Sequence, residues 1–119
     1  MKAMNRRARG ASGERKAEQY LRSRGYAVLA RNFRTRRAEI DLVARKGERI
    51  AFVEVKSWGA FAADSLEHAI GAAKRRRIVE AARCFLHDRP QLAGCGASFD
   101  VILVQGERIT HLEDAFAEV

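Results

Sequence analysis

Long apolar runs are missing from this chain, and none approaches the ~20 residues a helix needs to cross a bilayer. No apolar core follows the basic opening "MKAMNRRARGASG", so a secretory signal is not expected. An Arg-rich organellar presequence is the alternative, since the first acid is Glu14, and a cytoplasmic protein is the plain expectation. Cysteine is scarce, and Cys84 and Cys95 do not demand an oxidising compartment. Cys84 falls on the apolar face of a predicted helix, which predicts a buried thiol. Cys84, His87 and Cys95 lack a fourth partner and the paired CxxC spacing of structural zinc sites, so zinc is not expected. Low-complexity tracts and internal repeats are also missing. There is no G-x-S-x-G elbow, no P-loop and no G-x-G-x-x-G after a strand. These absences remove the common serine-hydrolase, nucleotide-triphosphate and dinucleotide chemistries.

What is present is positive charge. Lys plus Arg number 23 against 15 acids, a net charge of +8 in 119 residues. Such an excess on one small domain favours a polyanionic partner, nucleic acid before a membrane surface. The bases also cluster. Six arginines fall within "RSRGYAVLARNFRTRR", Arg22 to Arg37, and "KRRR" spans Lys74 to Arg77. A solubilising surface explains scattered charges better than two dense runs, so phosphate contacts are expected there, with Arg34, Arg36, Arg37, Lys74 and Arg75 as candidates. No basic amphipathic helix with exposed large apolar groups is seen, which argues against membrane binding.

Residues 1–12 read as a flexible basic arm and residues 13–119 as a single domain. A helix is predicted from about Gly13 to Arg24, with Ser12 as N-cap and Gly25 as terminator. Strands follow at Tyr26–Phe33, Ala38–Lys46 and Arg49–Lys56, the last two joined as a hairpin through Gly47. After a loop holding Trp58, Gly59 and Phe61, a helix is predicted between Ser65 and Asp88, its main part starting just after Gly71. Pro90 and "GCG" mark a turn, then Ser98–Gln105 reads as a buried strand and Arg108–Leu112 as a short edge strand joined to it through Gly106. This order predicts an α/β layered fold around a mixed sheet.

The stretch "IAFVEVKSWG" sets Glu54 and Lys56 on one face of an apolar strand. On the preceding strand, Glu39 and Asp41 are expected on one face and Ile40 and Leu42 on the other. Glu14 lies on or beside the inward face of the first helix, three and seven positions before Ala17 and Leu21. If register brings these together, the clustered carboxylates repel one another and call for a cation, Mg²⁺ or Mn²⁺ by the hardness of their oxygens. Such an ion lowers the pKa of a bound water and stabilises charge on a phosphodiester, with a lysine beside it. The competing reading is an exposed Glu54–Lys56 pair worth ~0–1 kcal/mol and a wet hairpin face. Alternation alone leaves the two level. Asp100 in its buried strand reads as a structural acid, and His68, His87 and His111 as surface or helix-end residues.

The ordered set "GE" at Gly13-Glu14, "EIDL" at Glu39–Leu42, "FVEVK" at Phe52–Lys56 and the basic helix opening at Lys74 resembles the UPF0102 (YraN-like) family. That family resembles the Holliday-junction resolvases of the PD-(D/E)xK nuclease superfamily, and the resemblance runs from Gly13 to "DAF" at Asp114–Phe116. It implies a restriction-endonuclease-like, three-layer αβββαβ core with a mixed β-sheet flanked by helices. By position it implies Asp41 and Glu54 as metal ligands for Mg²⁺ or Mn²⁺, Lys56 as catalytic lysine and Glu14 as a helical acid beside the metal. Glu39 belongs to the family's own motif with an open role, and Lys74 and Arg75 stand at its basic helix start. The implied function is a metal-dependent DNA endonuclease acting on branched or recombination and repair intermediates. The alternative is a nucleic-acid-binding module without turnover. A homodimer is suggested by analogy, because resolvase-like folds pair to cut two strands. The chain departs from the family at Ala38, where glycine is usual, and at Ser57-Trp58, where Thr-Arg is common.

Overall fold

The computed structural model describes residues 6–57 and 70–116. Helix α1 spans Arg6–Ser23, followed by β1 (Ala27–Arg34), β2 (Glu39–Lys46) and β3 (Arg49–Ser57). Helix α2 (Ala72–His87), a 3₁₀ turn at Pro90–Leu92, β4 (Gly96–Gln105) and β5 (Arg108–Phe116) complete the order. The strands form one five-stranded sheet in the order β1-β2-β3-β4-β5. Only β3 and β4 run parallel; the other neighbours are antiparallel. A parallel neighbour requires a crossover, and α2 lies within it.

Among the described residues, each face of the sheet is covered by one helix. Ala17 and Leu21 of α1 pack with Leu42, Ala44, Ala51, Val53, Ile102 and Val104. Ile78, Val79, Ala82 and Phe85 of α2 pack on the other face with Val43, Ile50, Phe52 and Phe99. Phe85 is fully buried, its ring edge-on to Phe33 and Phe52 at 5.2 and 5.9 Å. Burial of such a side chain contributes roughly 1.5–3 kcal/mol. The result is a three-layer α/β arrangement with a mixed sheet, consistent with a restriction-endonuclease-like fold.

The turns follow the predicted chemistry. Gly47 and Gly106 hold φ of 61° and 62° in the β2–β3 and β4–β5 turns. Gly25, at φ 92°, closes α1 with the Tyr26 amide donating to Leu21 O and its own amide to Arg22 O. Helix α2 begins immediately after Gly71, as its sequence suggests.

Several expectations are corrected. Helix α1 starts at Arg6, so residues 6–12 are helical and Ser12 lies within the helix instead of capping it. Gly13 is buried because α1 crosses the end of β3 there: a Cβ on Gly13 would come within 1.8 Å of Ser57 Oγ and 3.2 Å of Ser57 Cβ. Strand β5 runs on to Phe116, beyond the predicted Leu112, through a register shift at which Asp114 takes φ 50°. Cys84 is exposed, not buried, because α2 turns the positions of Ile78, Ala81, Ala82 and Phe85 inward and Cys84 falls outside that stripe. The predicted loop with Trp58, Gly59 and Phe61, and His68 beyond it, lie outside the described residues.

Candidate active site

Strands β2 and β3 are paired from Lys46 and Arg49 as far as Leu42 and Val53, and the ladder ends there. One step further on, Asp41 and Glu54 face the gap. The strict alternation expected of β2 breaks at this point: Ile40 packs in the α2 layer and Leu42 in the α1 layer. Side chains two apart on a regular strand share a face, so the backbone turns at Asp41. Across β1, Asn32 sits between the pairs Arg31–Leu42 and Phe33–Ile40 and takes φ 51°, a left-handed conformation that asparagine tolerates better than most residues. The irregularity in both strands frees Asp41 to reach sideways, and its Oδ2 accepts a 2.8 Å hydrogen bond from the Val55 amide. A carboxylate thus takes up a backbone donor that the diverging strand leaves unpaired.

Glu54 is 8% exposed, on the same face of β3 as Phe52. Its Oε1 receives two ammonium groups, Lys74 Nζ at 2.9 Å and Lys56 Nζ at 3.2 Å. Lys56 shares its strand, whereas Lys74 comes from the first turn of α2. Burial would lower the Lys74 pKa, but the hydrogen bond to Glu54 and the charges of Glu54 and Asp41 raise it above the ordinary lysine value. Asp41 shows the opposite pressure. Burial first, then the charges of Glu54 and Glu14, push its pKa up to about 7 against the lowering effect of the Val55 amide.

Glu14 reaches this region from α1. Burial and the Glu39 and Glu54 charges raise its pKa, opposed by a hydrogen bond from the Asn32 side chain. Glu39 lines the cavity and pairs with Arg34 at 3.4 Å. Thus the structure brings Asp41, Glu54 and Lys56 together and places Glu14 and Glu39 close enough for their charges to matter. A cavity of about 290 Å³ opens beside them, lined by Arg37, Glu39, Asp41, Glu54, Lys74 and Arg77 among others.

The basic candidates separate by position. Arg37 lines the cavity but is paired with Glu80 of α2 at 3.2 Å. Arg36 is exposed, on a turn tied by the Thr35 amide to Ala38 O and by the Thr35 hydroxyl to the Arg37 and Ala38 amides. Ala38 closes this turn without a positive φ, so the missing glycine costs the chain nothing there. Arg75 donates from Nε to Ile70 O, securing the entry to α2, and is not a lining residue of the cavity.

Two residues of consequence escape a reading of the sequence. Asn32 lies beside Glu14, and its only sequence signal is a poor strand former inside a predicted strand. His111, expected at the surface, is only 7% exposed at its side chain. Its Nε2 lies 2.8 Å from Asp100 Oδ2 and its Nδ1 3.2 Å from the Tyr20 hydroxyl. Asp100 also accepts from the Asp114 amide in the β5 irregularity. Burial would raise the Asp100 pKa, but His111 and that amide lower it.

Two neighbouring carboxylates, one held near pKa 7 by burial and like charge, form an oxygen donor set suited to a hard divalent cation that keeps several waters. Among the described residues, no group of three or more His, Cys, Asp or Glu is placed to hold a metal ion. No described helix is long and apolar enough to cross a membrane.

The model of the family described as "Uncharacterised protein family UPF0102" matches residues 13–104, which include every one of these acids and lysines. A UPF0102 protein of Paramagnetospirillum magneticum is 42% identical over 113 residues, covering 91% of this chain and 86% of the relative. A second, of Desulforapulum autotrophicum, is 40% identical over 111 residues, covering 90% and 91%. A third, of Persephonella marina, is 39% identical over 108 residues, covering 91% and 92%. With the family match extending from the Gly13 contact to the end of β4, and relatives this similar along nearly their whole length, the chain belongs to the UPF0102 family.

Proposed function

We propose that this protein is a metal-dependent DNA endonuclease, hydrolysing phosphodiester bonds in branched or recombination and repair intermediates. The observation that carries this reading is the meeting of Asp41 and Glu54 where β2 and β3 part, with Lys56 on Glu54 and the Asp41 carboxyl pushed up to about 7. Asp41 and Glu54 would hold Mg²⁺ or Mn²⁺, which supplies an acidified water and positive charge at the phosphate. Lys56 would orient the attacking water or neutralise developing charge. Glu14 adds negative charge at the same end of the sheet and Arg36, Arg37 and Arg77 offer phosphate contacts.

The test offers linear, single-stranded and four-way-junction DNA to the purified protein with Mn²⁺, with chelator, and as Lys56→Ala. Metal-dependent cleavage that is lost in Lys56→Ala supports the reading. Binding without metal-dependent cleavage of any of the three overturns the enzyme. A second reading, a DNA-binding module without turnover, is favoured by one observation: Glu54 Oε1 is already engaged by both lysines.

A further inference from the structure

Lys56 and Lys74 converge on one oxygen of one carboxylate. Lys74 Nζ donates a 2.9 Å hydrogen bond to Glu54 Oε1, whereas the Lys56 ammonium stands 3.2 Å from the same oxygen as an ion pair. An inner-sphere cation at that oxygen therefore competes with the Lys74 hydrogen bond. The two lysines are not equally bound to their place. Lys56 stands two residues along the same strand and its side chain is 22% exposed; Lys74 enters from α2 and is 36% exposed. The cavity of about 290 Å³ that Lys74 lines leaves it room to swing, since a water occupies ~30 Å³. Two ammonium groups and a divalent ion on one carboxylate would also repel one another.

We propose that Lys74 is the resident counter-ion of Glu54 and competes with the divalent cation for it, so that metal entry releases the Lys74 ammonium for a substrate phosphate. Lys74 is then a positioning residue: it keeps a buried acid neutralised before the ion arrives. It also links metal and polyanion binding, because anything that draws Lys74 away from Glu54 makes Glu54 more available to metal. Linkage makes that effect reciprocal. The inference rests on the metal reading proposed above, and its test separates the two.

Mn²⁺ alone, without DNA, is titrated against wild type, Lys74→Met, Lys74→Gln, Lys74→Arg and Glu54→Gln, with free Mn²⁺ followed by electron paramagnetic resonance at one pH. The neutral variants should bind Mn²⁺ at least about fivefold more tightly than wild type, and Lys74→Arg should bind as wild type does. Glu54→Gln should bind much more weakly. Equal or weaker binding by both neutral variants overturns the competition while leaving the metal site standing, provided wild type binds and Glu54→Gln does not. Tight binding by Lys74→Arg, matching Lys74→Met, also overturns it, because charge would then not be the cause. No Mn²⁺ binding by wild type or by either neutral variant overturns both the metal site and this inference. Two neutral variants of different shape guard against one misfolding, which circular dichroism reports.

Discussion

The Asp41 carboxylate accepts the Val55 amide at 2.8 Å, bridging two strands at the point where their own ladder stops. This contact fixes the acid beside Glu54 and obliges both to share a partly buried space. Its cost and its use have the same source. Like charge and burial raise the Asp41 pKa, and the same two features make the pair receptive to a cation.

Metal-free stability should therefore fall as pH rises. The folded Asp41 pKa of about 7 lies above its ordinary 3.8, so between these values the folded state binds more protons than the unfolded state. Stability is highest near the lower value and declines until pH passes about 7. Asp41→Asn keeps an acceptor for the Val55 amide and removes the charge. It should flatten this decline and be more stable than wild type at pH 8, by about 2 kcal/mol. Urea denaturation from pH 5 to 8, with chelator present, checks the difference.

Glu54→Gln should lower metal-dependent cleavage by at least ~100-fold while leaving DNA affinity within a few-fold of wild type. A neutral amide is a poor ligand for a hard cation but does not disturb the arginines. Single-turnover cleavage and a binding titration, run in parallel, separate the two effects. Loss of both together would place Glu54 in substrate binding.

Asp100 should act in the opposite pH direction from Asp41. Its pKa is lowered by His111 and the Asp114 amide, against burial, so its contribution is present above its ordinary 3.8 and is lost as pH falls below that value. Asp100→Ala leaves the His111 ring nitrogen and an amide without their partner in a buried setting and should cost roughly 1–3 kcal/mol. His111→Ala should cost less, since Asp100 retains the Asp114 amide. Thermal denaturation at pH 7 and at pH 3 reads both statements.

DNA affinity should fall steeply with salt, because Lys and Arg contacts release counter-ions. Arg36→Ala should weaken binding of every DNA form alike and reduce the logarithmic salt slope by about 1, with no change in unfolding temperature, since Arg36 is exposed and makes no ion pair among the described residues. Arg37→Ala should show a smaller binding effect, because Arg37 must first leave Glu80. Fluorescence anisotropy at several salt concentrations measures the slopes.

Gly13→Val should destabilise the fold by about 1–3 kcal/mol, the range for overpacking a tight contact. A side chain there meets Ser57 and would lift α1 from the end of β3. Cleavage should fall with it, because Glu14 is the next residue. Ser57→Gly combined with Gly13→Val should recover part of the loss, measurable as non-additivity in denaturant midpoints.

Much of the framework was legible beforehand. Gly25, Gly47 and Gly106 mark their turns because a positive φ strains nearly every other residue, and Gly71 marks the start of α2. The set Glu14, Glu39, Asp41, Glu54 and Lys56 was also legible, as an order of residue types. What misled was periodicity taken as strict. Alternation put Ile40 and Leu42 on one face, but the kink at Asn32 and Asp41 sends them to opposite layers. Helical spacing placed Cys84 inside, where the inward stripe of Ile78, Ala81, Ala82 and Phe85 leaves it exposed. His111 looked like a surface residue because its two partners, Asp100 and Tyr20, lie 11 and 91 positions away.

The sequence by itself determined the strands, the helices, the basic surplus and the identities of the acids, because these depend on local pattern and composition. Only the tertiary structure decided that β2 and β3 part just past Leu42 and Val53, so that Asp41 and Glu54 meet in a partly buried cavity. Only it brought Lys74 from α2 onto the oxygen that Lys56 already holds. Burial, like-charge proximity and shared acceptors are properties of distance between elements, and distance across a sheet is not written in any local run of residues.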